Sequence, residues 1–308
     1  MPVREVFKEE SSMGRRENDW LSTKVSDVAV RLRFKNILYA TDLSFAAERA
    51  LPYALEVARR YGSTIHVAHV IQPDIYPLVP PSSWSQMADA EEVFRKESRR
   101  DLEEQLGSVP HDIIFRPGKT WPILSQLIEE KQIDLVVFST HGGGGLQKLI
   151  FGSVADDIFR KSPCPVLAVG PGVMNKPKAN AELNRILYAT DFRSESLAAA
   201  PYAISLAQEH RAQLVLLHSI ENGGDVPAML HALHQLVPLG AELRTEPVCI
   251  VEHGAPGSKI LEVAEAHGAD LIVLGVQSNN KNFGKHLLRP GVFQIVAGAT
   301  CPVFMVRR

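Results

Sequence analysis

Apolar positions along this chain fall into two kinds of run, and the two alternate. Residues 37–40, 64–71 and 135–138 are apolar or β-branched without regular polar alternation, the pattern of strands covered on both faces. Residues 46–61 instead carry apolar side chains at helical spacing. The pattern reads as strand, helix, strand, variable helix, short strand, helix, strand, helix, strand, and then as the same order again. Strands alternating with helices imply a parallel sheet with right-handed crossovers, and ligands of such sheets bind at the carboxyl ends of the strands.

The second pass is a duplication of the first. NILYATD at 36–42 returns as NRILYATD at 184–191, and His69 returns as His218. IDLVVF at 133–138 returns as ADLIVL at 269–274, and SPCPVLAV at 162–169 as ATCPVFMV at 299–306. Landmarks repeated in order at domain length fix the architecture before any propensity is weighed. Asp42 and Asp191 stand 149 residues apart, whereas Cys164 and Cys301 stand 137 apart, so the second copy is the shorter between His218 and Gly254. Opposite that gap the first copy has a proline-rich stretch at 73–81 and a charged segment at 89–105, which read as a loop and an exposed covering helix. The expected organisation is a flexible arm over 1–32, a first domain over 33–170, a linker over 171–183 and a second domain over 184–308.

Composition narrows the function classes. With 308 residues, 45% of them hydrophobic and 22% charged, and a net charge of -2, the chain reads as a globular protein with no field for nucleic acid or an anionic membrane. No apolar run approaches the roughly 18 to 20 residues of a membrane span, and the first residues are charged where a secretory signal would be apolar. Three scattered cysteines, Cys164, Cys249 and Cys301, make neither a disulfide framework nor a CxxC pair, which fits a reducing cytoplasm.

The chemistry-bearing segment follows the strand at 135–138. It reads STHGGGG at 139–145, and after 146–151 come Gly152, Ser153 and Val154, opening a helix that runs to Arg160. Glycines let backbone N–H groups turn toward an anion without a clashing Cβ, and the amides of a helix start add partial positive charge. A flexible strand-to-loop turn would use the same glycines. Gly152 and Ser153 add a helix N-terminus and a hydroxyl where the other side of a triphosphate would lie.

On these residues the chain resembles the universal stress protein family in its tandem form, from about Arg33 onward. The family's phosphate motif is a glycine, two residues, a second glycine, nine residues, then Gly-Ser or Gly-Thr. Gly142, residues 143–151, Gly152 and Ser153 match it, and Ser139 stands at the first glycine. The resemblance implies two tandem Rossmann-like α/β domains of the adenine nucleotide alpha hydrolase type, each a mostly parallel five-stranded sheet flanked by helices. It implies an ATP site, with or without Mg2+, at Ala40, Thr41, Asp42, Val70, Phe138, Ser139, Thr140, His141, Gly142, Gly152, Ser153 and Val154. Asp42 and the Val70 backbone would meet the adenine and ribose end. Thr140 and His141 would flank the phosphate loop, and Gly142, Gly152, Ser153 and Val154 would cradle the phosphates. The end strands at 165–169 and 302–306 resemble those through which the family's domains pair, implying an intrachain pseudo-dimer that leaves a homodimer open.

The two copies differ where the phosphates would sit. Arg289 and Pro290 stand opposite Gly152 and Ser153. A proline has no N–H to give, and an arginine brings a Cβ and a long side chain into a crowded turn. The phosphate geometry is therefore expected to be lost in the second copy, with Lys285 and Arg289 read as solvated charges.

Other motifs are set aside. Gly118, Lys119 and Thr120 end like a Walker A loop, but Ile113 occupies the place of its first glycine, and the segment reads as the loop before a helix. Gln147 breaks a GxGxxG fingerprint. His66 and His69, three apart on a strand, point to opposite faces, and His231 and His234 have no carboxylate or cysteine nearby in sequence, so no metal site is expected. No nucleophile with a base, and no paired carboxylates, accompany the glycine loop, so no catalytic residue is expected. The expected function is ATP binding as a regulatory or structural ligand in a cytoplasmic stress response. The alternatives are an interaction scaffold that binds no nucleotide, or a slow ATPase.

Overall fold

The computed structural model describes residues 32–71, 84–140, 153–173, 183–221, 223–276 and 290–307. The chain divides into a first unit of Arg33–Glu182 with Ser278–Arg307, and a second unit built on Leu183–Gln277.

In the first unit β1 (Asn36–Ala40), β2 (Thr64–Ile71), β3 (His111–Pro117), β4 (Leu135–Ser139) and β5 (Val166–Val169) take the order β3-β2-β1-β4-β5. All these pairings are parallel. Ile37, Leu38 and Tyr39 on β1, and Leu135, Val136, Val137 and Phe138 on β4, are all buried. Consecutive residues of a strand point to opposite faces, so both faces are covered, which is why these runs lack polar alternation. Helix α1 (Leu51–Tyr61) covers them with Leu51, Ala54, Leu55 and Ala58, spaced i, i+3, i+4, i+7. Gly62 ends it in the left-handed region at φ 66°, where glycine carries no Cβ penalty.

Helix α2 (Trp84–Leu106) is the covering helix of the first copy: Leu102 and Leu106 at its end are buried, while most of its charged residues are exposed. It also guards the outer edge of β3, where the Arg99 guanidinium donates to the Ile113 carbonyl at 3.1 Å. β3 runs extended through Pro117 to Gly118, so the residues a Walker loop would have to wrap around a phosphate are strand instead. Helix α3 (Thr120–Glu130) follows, and α4 (Ser153–Lys161) precedes β5.

The second unit repeats the plan. β6 (Arg185–Ala189), α5 (Ser194–Leu197), α6 (Ala200–His210), β7 (Gln213–Ile220), α7 (Val226–Gln235), β8 (Val248–His253), α8 (Pro256–Ala266) and β9 (Leu271–Val276) follow in sequence. Its strands take the order β8-β7-β6-β9, again parallel. Where α2 has 23 residues α7 has 10, which locates the shortening seen in the sequence.

The last helix and strand of the second copy, α9 (Pro290–Gly298) and β10 (Val303–Arg307), belong by packing to the first unit. β10 runs antiparallel to β5, with Val303 opposite Ala168, Phe304 opposite Leu167 and Met305 opposite Val166. No described helix is long and apolar enough to cross a membrane.

Candidate functional site

Strand order reverses at β1: β2 and β3 lie to one side of it, β4 and β5 to the other. The loops leaving β1 and β4 therefore diverge at the carboxyl ends of the strands, which opens a crevice between them. A cavity of about 500 Å3 lies there. The end of β1 gives it Ala40, Thr41 and Asp42, the end of β2 Ala68, His69, Val70 and Ile71, and the end of β4 Phe138, Ser139 and Thr140. Helix α3 adds Thr120 and Leu124, helix α4 adds Ser153, Val154, Ala155 and Ile158, and Ala47 closes the rim.

Of the positions expected from sequence, the structure brings together Ala40, Thr41, Asp42, Val70, Phe138, Ser139, Thr140, Ser153 and Val154 in this one cavity. His141, Gly142 and Gly152 lie outside the described residues, as do Lys285 and Arg289. The sequence did not single out Ala47, Ala68, Ile71, Thr120, Leu124, Ala155 or Ile158, and His69 was considered there only as a metal ligand. Thr120 had a readable signal, since it sits just past the end of β3, on the edge where ligands of such sheets bind.

The local chain explains how Asp42 reaches the rim. The last rung of β1 on β2 is the bond from the Thr41 N–H to the Ala68 carbonyl, 3.0 Å. Thr41 Oγ1 then accepts from the Leu43 N–H, and Asp42 Oδ1 from the Ser44 N–H, each at 3.0 Å. Leu43 sits at φ 62°. Two successive side-chain-to-backbone bonds turn the chain out of the sheet and leave Asp42 exposed. His69 Nδ1 lies 3.0 Å from the Thr41 carbonyl; a carbonyl can only accept, so Nδ1 carries the proton of this bond. Burial pushes the Tyr39 phenol up to about 12, and its O–H donates to the Ala47 carbonyl at 3.0 Å, pinning the short 3-10 turn Ala47–Ala50 against the site.

Val70 is placed by register. Ala68 turns its backbone groups toward β1, and residues two apart on a strand share a direction, so the N–H and C=O of Val70 also face that side, beyond the end of β1. Ile71, of the other parity, gives its carbonyl to the Gly118 N–H at 2.9 Å, on the β3 side. A donor and an acceptor on adjacent backbone atoms thus flank the cavity beside the apolar Ala40, Ala68 and Leu124. The described lining contains one carboxylate, Asp42, no lysine or arginine, and the hydroxyls of Thr41, Thr120, Ser139, Thr140 and Ser153. Within it an anion would be held by hydroxyls and by the first-turn N–H groups of α4, which have no acceptor inside the helix.

The same turn exists in the second unit and is closed there. Phe192 N–H donates to Thr190 Oγ1 and Arg193 N–H to Asp191 Oδ1, at 3.0 and 3.1 Å, and His218 Nδ1 lies 2.9 Å from the Thr190 carbonyl. Ser196, however, stands where the first copy has Ala47. Its hydroxyl donates to Asp191 Oδ1 at 2.6 Å and lies 2.9 Å from Thr190 Oγ1. Gly275, whose place on β9 is that of Ser139 on β4, lies directly under α5: a Cβ there would come 2.1 Å from the Glu195 carbonyl oxygen. The glycine is required in the second copy by this close approach, whereas Ser139 borders a cavity and can keep its side chain.

Other reactive groups stand apart from the site. Burial pushes the Cys164 thiol up, and that of Cys249 to about 11, and neither lines the cavity. His66 sits beside Asp112 and Asn36 rather than with His69. Among the described residues no group of three His, Cys, Asp or Glu side chains can hold a metal ion.

Comparison with known proteins agrees with the fold. The family model described as "Universal stress protein family" matches residues 33–170 and 182–307. Universal stress protein A homolog 1 of Coxiella burnetii is 33% identical over 144 residues, 45% of this chain and 97% of that protein. A universal stress protein of Methanocaldococcus jannaschii is 27% identical over 154 residues, 47% of this chain and 84% of that one. The crystal structure of a universal stress protein from Archaeoglobus fulgidus superposes with a TM-score of 0.69 at 22% identity, covering 90% of this chain and 100% of its own. That likeness shows the fold.

Proposed function

This chain belongs to the universal stress protein family, and from that premise we propose that its first copy binds ATP as a regulatory or structural ligand in a stress response, with the second copy as a degenerate partner. The cavity at the β1/β4 reversal carries the reading. Its 500 Å3 falls within the roughly 300–1,000 Å3 of small-molecule pockets, and it combines an apolar wall with a few convergent polar groups. The backbone of Val70 suits a base edge that offers one donor and one acceptor. Asp42 suits a ribose hydroxyl. Thr140, Ser153 and the first turn of α4 suit the phosphates, together with His141, Gly142 and Gly152. The bound nucleotide would stabilise the copy that holds it and bias that copy's contacts. The reading sets the protein in the cytoplasm, which its three free cysteines support.

The test is to release and identify any nucleotide carried through purification. ATP is then titrated against the wild type and against a Gly152→Arg, Ser153→Pro variant that copies the second copy's residues. The wild type should bind one ATP per chain. The variant should bind about a hundredfold more weakly or worse, the loss of two hydrogen bonds to a charged group at about 1.5–3 kcal/mol each. No carried nucleotide, with equally negligible binding by both proteins, would leave an interaction scaffold. Multiple turnover abolished in the variant would make the protein an ATPase.

A further inference from the structure

Helix α9 is the second copy's counterpart of α4, the helix that forms one wall of the cavity, and proline opens it where serine opens α4. It has acquired another neighbour. Phe159 on α4 is buried, with its ring 5.3 Å from that of Phe138 and 6.0 Å from that of Phe293 on α9. Phe138 lines the cavity, and so do Val154, Ala155 and Ile158 on the same helix as Phe159. A row of three rings in edge contact thus leads from the cavity wall through α4 to α9.

The far end of this row is held without slack. A Cβ on Gly170 would lie 1.9 Å from the Val296 carbonyl oxygen, and one on Gly172 2.6 Å from that of Ala299, so the chain leaving β5 runs in contact with the backbone of α9. β10 then pairs with β5, and the Phe304 ring lies 6.2 Å from that of Phe34, two residues before β1. Close-packed elements fixed at this many points settle into discrete positions rather than slide.

We infer that Phe293 is a positioning residue for the nucleotide site: through Phe159 it sets α4, so that ATP binding by the first copy and docking of residues 290–307 strengthen each other. This inference rests on the ATP reading given above. Linkage is reciprocal, so a ligand that prefers the docked arrangement tightens it by the factor that docking adds to affinity. The second copy's degenerate helix then has a use: having given up a phosphate site of its own, it braces the one that remains.

The test uses the full chain. Hydrogen exchange is followed by mass spectrometry with and without saturating ATP, and ATP affinity is measured for wild type, Phe293→Ala and Phe293→Leu. ATP should slow exchange in 290–307 as well as at the ends of β1 and β4, and leave β7 and β8 unchanged. Phe293→Ala should weaken ATP binding about tenfold, within the usual range of coupling between sites, and Phe293→Leu should recover most of it. Wild-type affinity in Phe293→Ala, or exchange in 290–307 that ignores ATP, overturns the inference while the ATP site stands. A wild type that binds no ATP overturns both. If Phe293→Ala does not fold, the wild-type exchange experiment decides alone.

Discussion

His66 shows how one buried side chain writes a pH dependence into the fold. It is 7% exposed, with Nδ1 3.7 Å from Asp112 Oδ2 and Nε2 3.5 Å from Asn36 Oδ1. Burial, and then the Lys131 ammonium, hold its pKa below the ordinary 6.5, with Asp112 opposing them. Lys131 is itself bonded to Asp112 at 2.8 Å, which weakens what that carboxylate can offer the imidazolium. As pH falls, the unfolded chain takes up this proton before the folded one. The stability contributed by neutral His66 is thus complete above the unfolded pKa and is lost as pH falls below it toward the folded value. Between about pH 7.5 and about pH 5 the wild type should lose more stability than His66→Gln, read as urea midpoints. Equal losses would show that His66 takes up its proton freely in the fold. At this scale the candidate site was half legible. Asp42, Ser139 and Thr140 stand out because a polar residue ending an apolar strand needs a reason to be there. Ala47, Ala68, Leu124 and Ile158 do not, because an apolar side chain facing a ligand and one facing the core follow the same periodicity. Ser196 was illegible too: only the 2.6 Å bond to Asp191 reveals that the second copy fills this place with its own hydroxyl.

Between elements, the contact of α9 with the chain leaving β5 tolerates little change. Substituting Gly170 by alanine would drive a methyl into the Val296 carbonyl, a backbone group with nowhere to go. The expected cost is about 3 kcal/mol, at the upper end of overpacking. Gly62 supplies the comparison: it sits at φ 66° with nothing within 4 Å of a Cβ, so alanine there meets only the left-handed backbone penalty, about 1 kcal/mol. Urea unfolding of both variants checks the ranking, and a Gly170→Ala no worse than Gly62→Ala would mean that α9 is free to move away. The elements themselves were largely readable. Doubly covered strands announce themselves as unbroken apolar runs, and the repeat supplies each one twice. Membership of a unit was not readable from periodicity alone. The pattern of β10 says that both its faces are buried, as they are, but the same pattern is compatible with any neighbour. Its pairing with β5, across more than a hundred residues of sequence, is not encoded by periodicity and was readable only through the family resemblance, which pairs these end strands.

For the whole molecule, duplication followed by divergence predicts an asymmetric response to ligand. All three tryptophans, Trp20, Trp84 and Trp121, precede the second copy, which has none. With Trp20 of the arm replaced by Phe, fluorescence reports unfolding of the first copy, whereas far-ultraviolet circular dichroism sees the helices and strands of both. ATP at a hundred times its Kd should stabilise the copy that binds it by about 2.7 kcal/mol. With a urea slope of about 2–3 kcal/mol/M for a domain of this size, the fluorescence midpoint should rise by about 1 M. The dichroism signal should divide, one part moving with fluorescence and the part owed to β6 through β9 staying where it was. The reason lies in the closed turn of the second unit: with Asp191 held by Ser196 and α5 packed onto Gly275, that unit is expected to offer ATP no site, and a ligand stabilises only what it binds. Should both probes shift together by the full amount, the two units unfold as one.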